Sequence, residues 1–242
     1  MAETDLDPGS SRARTISHPS LKDAAAAYLR EQILTGRLRP GAKIDQDEIS
    51  EALGMSRLPV REALIELAQE SLIDAVPRRG AFVARLERVD IIDHYRIFGL
   101  IAGLAASRAA TSLTDEQLVE LRAINDAFVA ATDPDDKAKW NHDFHRLINQ
   151  AGGSRRLISV LALLSRSLPV HYFEFVPDWA EISAGHHARI LSALEARDAH
   201  EAQRIMEHHL AESGDHAVEI LQEMGYWERG DGSVEASATG AA

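Results

Sequence analysis

The sequence predicts a mainly α-helical chain in two parts: a small three-helix head closed by a β-hairpin, then an antiparallel bundle of about six helices. Three observations lead there. Apolar residues recur at helical spacing through most of the 242 residues, interrupted by only one pair of short β-prone runs. The length suits two modest cores better than one. Charge divides the chain at the same place: residues 18–86 carry 10 basic and 10 acidic side chains, whereas 87–242 carry 14 and 25 and so hold nearly all of the net −12. Ten of the eleven histidines also lie beyond residue 90.

Each element of the head follows from local chemistry. Leu21, Ala24, Ala25, Tyr28, Leu29 and Ile33 line one face of a first helix, which Gly36 stops before Pro40-Gly41 turns the chain. Asp45 with Glu48 reads as a capping box opening a short helix through Leu53, ended by Gly54. Ser56 caps a third helix with Val60, Ala63, Leu64, Leu67 and Ala68 inward. Two short helices about a tight glycine turn make a helix-turn-helix. Leu72–Val76 and Ala81–Ala84, joined through Pro77-Arg78-Arg79-Gly80, make a hairpin wing.

The bundle is read the same way. Residues 89–110 are apolar nearly all round (Ile91, Ile92, Tyr95, Phe98, Ile101, Leu104), which predicts a central buried helix. Thr114 with Gln117 opens the next, carrying Leu118, Leu121 and Phe128. Pro134 starts a third with Trp140, Phe144, Leu147, Ile148 and Ala151 inward, and Gly152-Gly153 ends it. Ser154 caps a fourth carrying Leu157, Val160, Leu161 and Leu164. Pro169 and Pro177 bracket a connection containing His171-Tyr172-Phe173, and two last helices run over about 178–196 and 198–225. Residues 1–17 and 228–242 read as disordered tails, leaving a head at 18–86 and a bundle at 87–227.

Several classes fall away. With no cysteine there is no disulfide scaffold, thiolate zinc site or cysteine nucleophile. The acidic start Met1-Ala2-Glu3-Thr4-Asp5 has no apolar h-region, so no signal peptide is expected. The longest apolar run, from Ile97 to Ala106, is too short to span a bilayer. A cytoplasmic protein without a membrane partner is the expectation.

The chemistry of the head sits at the start of its third helix. A recognition helix enters the major groove by its first turn, where free N–H groups and the helix dipole also favour phosphate. Arg57 and Arg61 are four apart and share a face opposite the Ala63/Leu67 stripe. Arginine suits bidentate contact with guanine O6 and N7. The same spacing also fits ion pairs with Glu62, Glu66 or Glu70 on a solvated face. Arg78-Arg79 followed by Gly80 sets two cations at the wing tip, for DNA backbone or minor groove.

Three strings carry a resemblance. They are Ile33-x-x-Gly36-x-Leu38-x-Pro40-Gly41, Leu53-Gly54-Met55-Ser56-Arg57-Leu58-Pro59-Val60-Arg61-Glu62-Ala63-Leu64, and Arg79-Gly80-Ala81-Phe82-Val83. Over about residues 20–86 the chain resembles the winged helix-turn-helix of the GntR family of bacterial transcription regulators. The resemblance implies base contacts from Arg57 and Arg61, with Ser56 and Pro59 beside them, and wing contacts near Arg78, Arg79 and Gly80. Some members carry an arginine on the second helix where this sequence has Asp47, so one contact is missing or selectivity is altered.

Histidines occupy apolar positions in the bundle. His145 lies one turn after Asn141, His187 shares a face with Ile190 and Leu194, and His209 shares one with Ala202 and Ile205. Neighbouring His208 aligns with Arg204 and Glu212 and is expected to face water. Three inward imidazoles on three helices either converge on a divalent transition metal such as Zn or Ni, or are separate hydrogen-bonded core histidines. Phe144-His145-Arg146-Leu147-Ile148, His187-x-x-Ile190-Leu191-x-Ala193-Leu194, Asp198 and His209-Leu210 resemble the FCD effector domain of the FadR-type branch of GntR regulators. That resemblance implies metal ligands at Asn141, His145, His187 and His209, with Asn141 standing where an aspartate is usual. Phe98 and Ala102 replace the Arg and Glu that many members carry, making the effector cavity more apolar. Tyr95, Phe98 and Arg166 are the candidate effector contacts.

The expectation is a ligand-responsive transcription factor, a repressor in most of this family. A homodimer would place two winged heads on a pseudo-palindromic double-stranded operator, with a small-molecule effector bound in the bundle. Two rivals are a metal-dependent enzyme using the His-rich bundle and a winged-helix adaptor binding protein. The enzyme lacks any His-Glu-x-x-His, Gly-rich phosphate loop or Gly-x-Ser-x-Gly, and no carboxylate stands out as general base.

Overall fold

Side chains just ahead of each helix supply the first clue to where the chain turns. In the computed structural model, which describes residues 20–167, 177–223 and 225–227, Ser20 and Asp23 form a reciprocal capping box at the start of α1 (Leu21–Leu34). The expected tails at 1–17 and 228–242, Pro169 and the His171-Tyr172-Phe173 connection lie outside the described residues. The head continues with α2 (Gln46–Ala52), α3 (Arg57–Gln69), β1 (Ile73–Val76) and β2 (Gly80–Val83). The bundle comprises α4 (Arg88–Ser112), α5 (Asp115–Ala130), α6 (Pro134–Gly152), α7 (Arg155–Ser167), α8 (Pro177–Glu195) and α9 (Ala199–Glu223). Among the described residues this makes nine helices and one hairpin, a mainly α fold as the periodicity predicts.

Most start signals act as read, and two differ. Thr114 and Gln117 cap each other at α5, Asp133 precedes Pro134 at α6, and the Leu157 N–H donates to Ser154 Oγ at 3.2 Å. At α2 only half of the expected box forms. Asp45 accepts from the Asp47 and Glu48 N–H groups at 2.8 and 3.4 Å, with no return bond from the Glu48 side chain. At α3 Ser56 holds the N-cap position but its hydroxyl makes no capping hydrogen bond. Gly54 sits at φ 61° between α2 and α3, a left-handed turn that a side chain would strain.

The hairpin pairs antiparallel from Ile73 opposite Val83 to Val76 opposite Gly80, so Gly80 belongs to β2 and the turn is Pro77-Arg78-Arg79. Inside the head, α1 packs on α3 through Ala25, Ala26, Leu29, Ile33, Val60, Ala63 and Leu67. Leu21, expected inward, is exposed, because the first turn of α1 projects past this core. The Arg30 guanidinium holds the buried Glu70 carboxylate through contacts of 2.8 and 3.1 Å, tying the two helices where they diverge.

In the bundle α4 runs against α9 along most of its length and also crosses α6, α7 and α8. Its contact face is built from Ala102, Gly103, Ala105, Ala106, Ala109 and Ala110, small residues that let helix backbones approach closely. A Cβ added at Gly152 of α6 would overlap the Ala105 carbonyl oxygen, so this crossing requires glycine. The expectation of a helix buried all round is corrected here. Val89, Ile97, Leu100 and Leu104 of α4 are exposed, because no described element covers that side.

Head and bundle share packing. Ile91 and Tyr95 of α4, Ala217 and Leu221 of α9, and Tyr226 belong to the same apolar cluster as the head's core. The Trp227 indole N–H donates to the Leu86 carbonyl at 2.8 Å, and the Arg88 guanidinium lies 4.6 Å over the Trp227 ring. No helix among the described residues is long and apolar enough to cross a membrane.

Candidate functional site

At the first turn of α3, Ser56, Arg57 and Arg61 are all exposed, whereas Pro59 faces inward with Val60. Pro59 therefore packs against the head core and does not present a surface, because it lies on the side of the turn opposite the arginines. The ion pairs weighed from the sequence form elsewhere: Glu66 pairs with Lys22 at 2.7 Å, and Glu70 with Arg30. Arg57 instead pairs with Asp47 of α2. Arg61 makes no ion pair among the described residues. Asp47, standing where some members of the resembled family carry an arginine, thus meets Arg57 across the turn in an exposed ion pair. On the wing, Arg78, Arg79 and Gly80 are exposed, Arg78 adopts φ 63°, and the Arg79 guanidinium sits 5.8 Å from the Phe82 ring centre. One cationic pair thus stands at the start of α3 and the other in the turn between β1 and β2.

A second constellation lies within the bundle. α6, α8 and α9 bring His145, His187 and His209 together, one ligand atom from each lying within 4.8 Å of the others. His209 Nε2 stands 3.3 Å from His145 Nε2. Two nitrogens bound at about 2.0–2.1 Å around a tetrahedral ion lie about 3.3–3.4 Å apart, so this spacing suits shared ligation. His187 is fully buried, stacked on Phe144 at 4.2 Å between ring centres, and neither of its ring nitrogens has a hydrogen-bond partner among the described residues. A buried imidazole in that state lacks the satisfaction that core polar groups normally find. Burial keeps all three rings neutral: His145 is pushed down to about 4, and His187 and His209 well below the usual histidine range. Neutral rings offer the lone pairs that a metal needs. Asn141 is buried one turn before His145. The residues present fit a divalent transition metal.

Sequence reasoning missed His186. Periodicity does not reveal it, because helix neighbours point about 100° apart and a single inward face admits only one of His186 and His187. α8 is covered on both sides, and His186 is buried with Nδ1 3.3 Å from His209 Nδ1. The signal was present as two histidine doublets, His186-His187 and His208-His209, with Glu212 one turn after the first member of the second. His208 is exposed, as its alignment with Glu212 predicted.

The candidate effector contacts scatter. Tyr95 is buried at the junction with the head, and Phe98 is buried in the bundle cluster. Arg166 is exposed and donates to the Ala162 carbonyl of its own helix, which points it along the α7 surface. A separate cleft of about 710 Å³ lies between head and bundle, lined among others by Arg79, Phe82, Arg85, Asp90 and His94.

Known proteins resemble the chain over both parts. Residues 21–83 match the family described as bacterial regulatory proteins, gntR family, and residues 93–212 match the FCD domain. An HTH-type transcriptional regulator in the TAR-I ttuE-ttuC' intergenic region of Agrobacterium vitis is 33% identical over 129 residues, 52% of this chain and 75% of that protein. The HTH-type transcriptional repressor RspR of Escherichia coli K12 is 29% identical over 204 residues, covering 82% of this chain and 90% of that one. Among solved structures, E. coli McbR/YncC aligns with a TM-score of 0.61 at 26% identity, over 84% of this chain and 98% of that one.

Proposed function

The chain belongs to the gntR family of bacterial regulatory proteins, with an FCD domain behind its winged helix, and from that premise we propose how its residues read DNA and sense a ligand. It is a DNA-binding transcriptional regulator and not an enzyme. We read residues 18–86 as the DNA reader and 87–227 as the sensor. Relatives that are named repressors, RspR among them, support repression as the output.

The observation that carries the reading face is the pair Arg57 and Arg61, exposed one turn apart at the start of α3. Ser56, its hydroxyl not used in capping, is available to a phosphate, and Arg78, Arg79 and Gly80 form the wing contact. Asp47 removes one cation from this surface but holds Arg57 in place, exchanging affinity for a fixed orientation. The locally neutral head makes one copy a weak binder, so a homodimer on a pseudo-palindrome supplies the occupancy. The uncovered stripe of Val89, Ile97, Leu100 and Leu104 supports α4 as the face where two copies meet. Such a regulator works in the cytoplasm, on DNA.

Asn141, His145, His187 and His209 would hold the metal, which would supply a Lewis-acidic contact for an effector oxygen. Coupling to the reader has a physical route. His209 lies on α9, and Ala217 and Leu221, two and three turns further along the same helix, pack into the head's core. A ligand that shifts α9 therefore biases how the heads are presented.

The test of the reading face is Arg61→Ala, measured by fluorescence anisotropy on DNA from upstream of the protein's own gene. Loss of one base contact costs about 1–3 kcal/mol, or roughly 5- to 150-fold in affinity. Unchanged sequence-specific binding would remove α3 as the recognition helix.

A further inference from the structure

Beside the three-histidine centre, and sharing none of its ligands, stands a second set. His208 and Glu212 lie one turn apart on α9, and His186 faces them from α8. His186 Nε2 is 3.2 Å from Glu212 Oε2, and His208 Nε2 is 3.6 Å from the same oxygen. One ligand atom from each of the three falls within 4.8 Å of the others. Ligands about 2.0–2.2 Å from a zinc-sized ion stand about 2.8–3.6 Å apart, depending on octahedral or tetrahedral arrangement. The His186 side chain is 10% exposed, whereas those of His208 and Glu212 are 48% and 41% exposed. His186 is therefore held within protein and His208 stands at the surface, with the shared Glu212 Oε2 buried between them. A simple ion pair accounts for one imidazole on a carboxylate. Here two imidazoles approach one oxygen.

We propose that His186, His208 and Glu212 form a second divalent-cation site, a two-histidine, one-carboxylate set suited to Zn²⁺ or Ni²⁺. Its occupancy opposes that of the three-histidine centre, and this coupling rests on the reading of His209 as a ligand there. A neutral imidazole that gives one nitrogen to an ion carries its proton on the other. An ion on His209 Nε2 thus leaves the proton on His209 Nδ1, 3.3 Å from His186 Nδ1. His186 Nδ1 must then be bare to accept it, and the His186 proton sits on Nε2, directed at Glu212. In that tautomer His186 cannot ligate. Filling both sites would set two N–H groups against each other across the same gap.

The experiment titrates untagged, metal-free, full-length protein with Zn²⁺ alone, following bound metal by equilibrium dialysis and calorimetry. Wild type is compared with His208→Ala, Glu212→Gln and His145→Ala, with circular dichroism to confirm matching helix content. His208 is exposed and Glu212 half-buried, and neither belongs to an apolar core cluster, so these changes leave the core intact, and Glu212→Gln preserves shape. Wild type should take up two ions, and each second-site variant one. The second site should bind about tenfold or more tightly in His145→Ala than in wild type already holding the first ion. Wild-type stoichiometry and affinities in both His208→Ala and Glu212→Gln would overturn the second site. Equal second-site affinity with and without the first ion would overturn the antagonism. If His145→Ala matches wild type while His208→Ala loses the only ion, the three-histidine reading fails and the second site stands.

Discussion

An unfolded His145 takes up a proton near pH 6.5, whereas burial in the bundle lowers its folded pKa to about 4. Between those values the unfolded chain binds more protons than the folded one. Stability is therefore complete above about pH 6.5, declines as the pH falls, and levels out below about 4. From pH 7 to pH 5 the linkage relation gives about 1.8 kcal/mol for this residue, an upper figure because His145 is only half-buried. His187 and His209 are buried more deeply and act in the same direction. Such a loss is a large share of the 5–15 kcal/mol by which a typical domain is stable (about 0.1 kcal/mol per residue). The assay is urea unfolding of metal-free protein at pH 7, 6 and 5, beside His145→Gln, in which other titrating groups cancel. Wild type should lose up to about 1.8 kcal/mol more than the variant over that range. Zn²⁺ at a hundredfold excess over its Kd should restore about 2.7 kcal/mol at each pH, because the folded ligands are already deprotonated. Parallel pH profiles for wild type and His145→Gln would refute the claim that this ring is buried in its neutral form.

Three further outcomes are expected. Gly152→Ala should cost about 3 kcal/mol, read as a drop in thermal midpoint, because the new methyl meets the Ala105 carbonyl and backbone cannot yield as a side chain can. Leu100→Glu should leave the monomer folded, since the side chain is 60% exposed, but raise the dimer Kd about 10- to 100-fold in sedimentation equilibrium through loss of roughly 1.5–3 kcal/mol of apolar burial. Asp47→Ala should narrow the ratio of operator to scrambled-DNA affinity two- to fivefold, matching the roughly 0.5–1 kcal/mol that an exposed brace supplies. Removing that acidic charge should also strengthen non-specific binding at low salt.

The histidine centre shows how far a one-dimensional reading reaches. His145, His187 and His209 were legible because each sits on the apolar stripe of its own helix, and helical periodicity says which way a side chain points relative to its neighbours. Periodicity cannot say that His186 is also covered, since that depends on which helix lies against the other side of α8. The same gap explains α4. Its residues are apolar nearly all round, which reads as full burial. Only the arrangement of α6 to α9 leaves Val89, Ile97, Leu100 and Leu104 uncovered. Pro59 is a third case, placed with the reading residues by its string and turned inward by the geometry of one helical turn.

What the residues determine on their own is local. Capping side chains, glycine turns and apolar spacing place nearly every helix, the wing, and the arginines at the start of α3. These signals act within a few residues of backbone, so no partner is needed to read them. The tertiary structure decides the rest: that Asp47 reaches Arg57, that three imidazoles from distant helices share a 4.8 Å space, and that α9, the helix bearing His209, packs Ala217 and Leu221 into the head's core. Those contacts join residues from ten to well over a hundred positions apart, and only close packing of whole helices sets which side chains meet.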